Sequence, residues 1–108
     1  MRQIVVFSKH LIVEFSIEDV TENRREEITN TIARDVDRGI KMVTFDFDKI
    51  DTHFESSMIG LILGLCKFLV EKEITIHLKN LCEEAYGSLE VSGFQYFAHD
   101  HCIEMKKK

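Results

Sequence analysis

Two adjacent hydroxyls, Ser56 and Ser57, stand between a β-branched and aromatic run, Met42-Val43-Thr44-Phe45-Asp46-Phe47, and an apolar helical run that starts at Met58. Hydroxyls at a strand-to-helix junction have two chemical uses. They can accept hydrogen bonds from the free N–H groups of the first helical turn, as N-caps. They can also accept a phosphoryl group from a kinase, which adds about −1.5 to −2 charges at neutral pH. In α/β proteins this junction is where functional groups collect.

Other chemically capable residues point nowhere as directly. His99 and His101 alternate around Asp100 and, on a strand, would share one face as metal ligands. The sequence places no third ligand, so no metal site is assigned. Asp46, Asp48 and Asp51 read as a strand end and a solvated loop rather than a phosphoacceptor pocket. Cys82, near a helix start where thiol pKa values fall, reads as a small buried residue. No nucleophile elbow, Gly-rich phosphate loop or paired-cysteine zinc motif occurs. Neither catalysis nor a cofactor is expected.

The elements that must position Ser56 and Ser57 follow from periodicity. Gln3–Phe7 and Leu11–Phe15 read as a hairpin around Ser8-Lys9-His10. A polar helix follows from about Thr21 to Arg38, with Asp19 or Thr21 as its cap and Asp19…Glu22 as a capping box. Its buried stripe is Ile28, Ile32 and Val36, and Gly39 ends it. A strand over Lys41–Phe47, a loop over Asp48–Phe54 and a helix from about Ser56 to Lys72 come next. Glu73–Leu78 reads as a strand and Leu81–Val91 as a helix that stops near Gly93. Cys102–Met105 can add a last strand. Strand–helix–strand repeats imply parallel neighbours.

The chain has 108 residues, the size of one domain over positions 1–108. Its net charge of −5 offers no basic stripe, so no nucleic-acid partner is expected. The Lys106-Lys107-Lys108 run reads as a solvated tail. Three scattered cysteines suit a reducing compartment. No secretory signal is read at Met1-Arg2-Gln3, and the longest apolar segment, Met58–Val70, is too short to span a bilayer, so no membrane insertion is expected. A cytoplasmic location is expected.

The helix after Ser56 carries the second functional expectation. Between Met58 and Val70 only Gly60, Gly64 and Lys67 are not strongly apolar. A helix on a sheet needs one apolar face. Either this helix is wholly covered, or part of it is a contact patch for a partner or a second copy of the chain. The patch expectation names Glu55, Met58, Ile59, Ile62 and Cys66 as partner-binding residues, and some of Met58, Ile59, Ile62, Leu65, Cys66 and Leu69 should stay exposed in an isolated monomer. Gly60 and Gly64 are read as packing against the sheet.

With these elements in place the chain resembles the STAS domains, named for sulfate transporters and anti-sigma-factor antagonists. The element order matches along nearly the whole chain. The family signature after the third strand, about Asp-Ser-Ser-Gly-Leu-Gly, stands here as Glu55-Ser56-Ser57-Met58-Ile59-Gly60. Leu89-Glu90-Val91-Ser92-Gly93-Phe94 resembles the family's Leu-x-x-Ser/Thr-Gly-Leu helix ending. Glu55 replaces an aspartate, Met58 replaces a common glycine, and Ser16-Ile17-Glu18-Asp19 replaces a Gly-x-Leu/Ile-Asp turn. The resemblance implies an α/β STAS-like single domain, a mixed, mostly parallel four- or five-stranded sheet packed with three helices.

It also implies a non-enzymatic signalling module. The residue matching Ser56 would be phosphorylated by an anti-sigma-factor-type serine protein kinase and reset by a phosphatase, with Ser57 as the neighbouring acceptor. The alternative implied by other members is a constitutive scaffold, or an accessory subunit of a transporter or receptor complex, without phosphorylation.

Overall fold

β1 (Arg2–Phe7) and β2 (His10–Glu14) pair antiparallel, as the two runs predict. The computed structural model describes residues 2–7, 9–21 and 24–108. From β2 onward each strand lies parallel to the next: β3 (Met42–Asp46), β4 (Thr75–Leu81) and β5 (Glu104–Lys107), in spatial order β1-β2-β3-β4-β5. The sheet is thus five-stranded, mixed and mostly parallel, as expected.

The helices depart from expectation in number. In place of one helix from about Thr21 to Arg38 there are two, α1 (Ile17–Thr21) and α2 (Arg25–Val36). The cause is local. The Ser16 backbone N–H donates to Asp19 Oδ2 at 2.8 Å, and the Ser16 hydroxyl donates to the same oxygen at 3.1 Å. That is the return half of a capping box, and it starts a helix at Ile17, four residues before the expected start at Thr21. Asp19 therefore closes the start of α1 instead of capping the long helix. Glu22, its expected partner, lies outside the described residues. Ile28, Ile32 and Val36 are buried as the spacing requires, and the chain turns through Gly39 at φ +91°.

The C-terminal half holds α3 (Ser56–Glu71), α4 (Glu83–Ser92) and α5 (Phe94–Asp100). Gly93 ends α4 at φ +84°, a left-handed position that suits glycine. The expected stop is there, but α5 follows at once, with Phe94 and Ala98 buried one turn apart. α5 and a turn push β5 two residues beyond the expected Cys102. The lysine run is not a free tail: Lys107 pairs with Leu81, and the Lys108 N–H donates to the Leu81 carbonyl at 3.0 Å.

Register explains which side of the sheet the helices cover. The rows Leu11–Val43–Ile76 and Val13–Phe45–Leu78 share one face, because side chains alternate along each strand. All six are buried. The alternate rows, Ile12–Thr44–His77–Glu104 and Glu14–Asp46–Lys79, are mostly half-exposed or exposed. The helices therefore pack on one face, and the other is open among the described residues.

α3 lies on the covered face. Met58, Leu61, Ile62, Leu65, Cys66 and Leu69 are buried. Each of the leucine, isoleucine and methionine side chains among them contributes about 1.5–3 kcal/mol on leaving water. Gly64, Lys67 and Glu71 form its exposed ridge, with Gly60 partly covered beside them. Gly60 and Gly64 meet Arg25 of α2, not the sheet: a Cβ on either would lie 3.5 Å from the guanidinium, which donates to the Gly60 carbonyl at 3.4 Å.

Candidate functional site

The chain reaches Ser56 along a row of aromatic rings. Phe15 stacks on Phe47 at 5.2 Å, and Phe47 meets Phe54 at 5.2 Å with tilted planes. All three are buried, so the loop after β3 is rooted in the core at both ends. Side chains of later elements hold it between. The Cys82 thiol donates to the Thr52 carbonyl at 3.6 Å and accepts from the Ala85 N–H at 3.4 Å, capping α4. The Lys108 ammonium donates to the Asp48 carbonyl and to Asp51 Oδ1, both at 2.7 Å. The hydrogen bond with Asp51 is the main reason that the Lys108 pKa is raised.

Asp46, Asp48 and Asp51 are accordingly occupied in structure. Asp46 Oδ1 accepts from the Asp48 N–H at 3.0 Å and from Asn80 Nδ2 at 2.9 Å. The lysines that sequence reading did not find beside these carboxylates are Lys108, 57 positions after Asp51, and Lys79, 3.9 Å from Asp46.

Glu55 is the extended N-cap residue of α3, with φ −79° and ψ 167°, and its carbonyl accepts from Ile59 N–H at 3.0 Å. Its side chain makes no capping hydrogen bond. Ser56 and Ser57 are the first two helical residues, and both are exposed. The capping use of the serines is thereby corrected. A cap needs a side chain outside the helix that can turn back over the first N–H groups, and the serines sit one and two residues too far along.

The patch expectation also needs correction. Met58, Ile62 and Cys66 are core residues, with Met58 2 % exposed. They point to the sheet because they fall on the same stripe as Leu65 and Leu69, which are buried with them. Burial pushes the Cys66 thiol pKa from 9.0 to about 12. Ile59 is half-buried, on the flank of the helix, and Glu55 is exposed.

What replaces the patch is a shallow groove between the start of α3 and one face of α4. Glu55, Ser56, Ser57 and Ile59 line one side; Gly87, Ser88, Val91 and Ser92 line the other. Val91 is 91 % exposed, far more than a valine needs to be on a helix with a buried side. Sequence reading placed Val91 in a family motif but saw no surface in it. The periodicity of α4 carried the signal: Ala85 and Leu89 are buried one turn apart, which leaves Val91 outside.

His99, Asp100 and His101 lie at the end of α5 and its C-cap, not on a strand. His99 Nδ1 is 3.9 Å from Asp100 Oδ1, and the His101 ring packs at 4.5 Å from Phe97. Helical geometry breaks the shared face on which the metal idea rested. Among the described residues no three His, Cys, Asp or Glu side chains could hold a metal ion. Among them, too, no helix is long and apolar enough to cross a membrane.

No protein-family profile matches the chain, and no curated protein is significantly similar to it in sequence. The comparison of folds is informative. The chain superposes on the structure of the anti-sigma factor antagonist SpoIIAA in its unphosphorylated form with a TM-score of 0.74, over 96 % of this chain and 85 % of that one, at 16 % identity. The protein therefore has the fold of SpoIIAA, the STAS-like α/β fold expected from its sequence.

Proposed function

We propose that this chain is a non-enzymatic protein–protein binding module, located in the cytoplasm, whose docking surface is the α3–α4 groove and whose switch is phosphorylation of Ser56. The observation that carries the reading is the state of the two serines. Both hydroxyls are exposed at the start of α3, neither caps it, and an exposed apolar side chain, Val91, stands across the groove. The likeness of fold to an anti-sigma factor antagonist supports the same reading. The partners by that resemblance are a serine protein kinase of the anti-sigma type and a resetting phosphatase.

The chemistry is compatible. A phosphoryl group at the first helical position is tolerated by the free N–H groups and dipole of the helix N-terminus. The fold need not move. A docked partner would have to strip water from a doubly charged group beside Glu55, at a cost that grows without a cation opposite it. Phosphorylation thus blocks docking. Met58, where the family pattern carries glycine, is buried and alters nothing a kinase would touch. Ser57 is the second acceptor.

Intact-mass and peptide mass spectrometry of protein purified from its native host tests the switch, with pull-downs using Ser56→Ala and Ser56→Asp. Phosphate on Ser56, with partners held by the alanine form and lost by the aspartate form, is expected. If both forms hold the same partners and neither serine carries phosphate, the constitutive scaffold or accessory-subunit reading replaces the switch.

A further inference from the structure

The backbone that presents Ser56 is tied to α4 at one point. Phe54, two residues before Ser56, buries its ring against Phe47. Its backbone N–H donates to the Ser88 hydroxyl oxygen at 3.1 Å. That hydroxyl donates its own proton to the Glu84 carbonyl at 2.9 Å. A hydroxyl has one proton and two lone pairs. Spending the proton on Glu84 fixes the rotor and leaves a lone pair for Phe54. Cys82 and Lys108 hold the loop upstream, at Thr52 and at Asp48 and Asp51. Ser88 is the last of these ties before the helix begins, and it lines the same groove as Ser56.

We propose that Ser88 is a positioning residue: by tying the Phe54 N–H to α4, it fixes where α3 starts and how the Ser56 hydroxyl is presented to the groove. The functional meaning rests on Ser56 as the phosphoacceptor; the positioning itself does not. Alanine at 88 removes the acceptor and leaves a backbone N–H beside a buried ring without its protein partner, a state native backbones avoid. The loop must then shift to find water, and Glu55 and Ser56 shift with it. Threonine keeps the hydroxyl and can make the same bond to the carbonyl one turn back.

The test compares wild type, Ser88→Ala and Ser88→Thr by NMR of the isotope-labelled chain, together with phosphate incorporation at Ser56 in native-host extract with ATP. In Ser88→Ala the Phe54 amide is expected to exchange about threefold to tenfold faster, the scale of one lost hydrogen bond. The Cα shifts of Ser56 and Ser57 move toward coil values, while the amides of Phe45 and Leu65 keep their rates. The initial rate of Ser56 phosphorylation falls. Ser88→Thr restores all three. Unchanged Phe54 exchange and Ser56 shifts in Ser88→Ala overturn the proposal, as does an equal acceleration at every amide, which is general destabilisation. Altered exchange with an unaltered phosphorylation rate overturns the link to presentation. If wild-type Ser56 takes no phosphate, the switch fails on its own account, and exchange, shifts and threonine rescue decide the role of Ser88.

Discussion

The α3–α4 groove and the open face of the sheet are both solvent-facing surfaces, and they differ in what they have left to offer. On the open face, polar groups of the described residues pair with one another. His10 Nε2 lies 2.8 Å from Thr44 Oγ1, His77 is 3.7 Å from Glu104, Lys79 is 3.9 Å from Asp46, and Lys49 from the adjoining turn is 3.7 Å from Glu14. In the groove Ser56 and Ser57 are exposed, Glu55 makes no capping bond, and Val91 is 91 % exposed. A surface whose groups are already paired gains little by burial, since a partner must break contacts to make new ones. A surface with free hydroxyls and an exposed apolar anchor gains both hydrogen bonds and apolar burial. The contrast supports the proposed docking at the groove without reference to any relative.

The largest expected effect tests whether the groove ends where the core begins. Ile62→Ala should lower the unfolding free energy by about 2–5 kcal/mol, as expected for a fully buried aliphatic side chain. Urea titration measures it. A cost under about 0.5 kcal/mol would place Ile62 on the surface and restore the contact patch along α3.

Val91→Asp sharpens the comparison from the other side. Its stability should stay within about 0.5 kcal/mol of wild type, the usual range for an exposed site. Binding to any partner recovered with Ser56→Ala should weaken by about tenfold or more, the effect of removing an interface anchor. Calorimetry or surface plasmon resonance reads this. Equal loss of binding on charge removal at Lys79 would move the interface to the sheet.

Cys66 gives a pH-dependent check on how tightly α3 is sealed. Its thiol titrates at about 12 in the folded chain, against 9.0 unperturbed, because burial disfavours the thiolate. Above pH 9 the unfolded chain gives up this proton while the folded chain keeps it, so the unfolded state binds fewer protons and stability falls as pH rises. The contribution is fully present below pH 9 and is lost progressively up to about 12. Cys66→Ala should flatten this part of the stability–pH profile, and alkylating reagents at pH 8 should label exposed Cys102 in preference to Cys66. Rapid labelling of native Cys66 would mean that the helix opens.

The smallest expected effect is Lys79→Met on the open face. A partly exposed ion pair contributes about 0–1 kcal/mol, so the thermal midpoint and partner affinity should barely change. A marked loss of affinity would break the contrast between the two surfaces.

Much of the fold was legible in the chain because it follows local rules. The hairpin, β3, the start of α3 at Ser56 and the stop at Gly93 all come from patterns of two to a dozen residues. The misses have local causes too: the Ser16–Asp19 box moved a helix start, and α5 hid behind a helix-ending glycine. The site was legible only in part. Ser56 and Ser57 stand out as types at a junction, but their place inside the helix, one residue past its cap, depends on how Phe54 and Glu55 leave the core.

The sequence by itself determined the alternation of strand and helix, the buried stripe of α2, and the position of two serines where β3 hands over to α3. Periodicity and capping act between near neighbours, and a single chain displays them. The tertiary structure alone decided that Met58, Ile62 and Cys66 are core, that Val91 and Ser56 line one groove, and that Lys108 and Ser88 hold the loop before α3. These relations join residues 34 to 60 positions apart. The parallel stacking of β3, β4 and β5 sets them, because it brings α4 and the last strand beside a loop that precedes both.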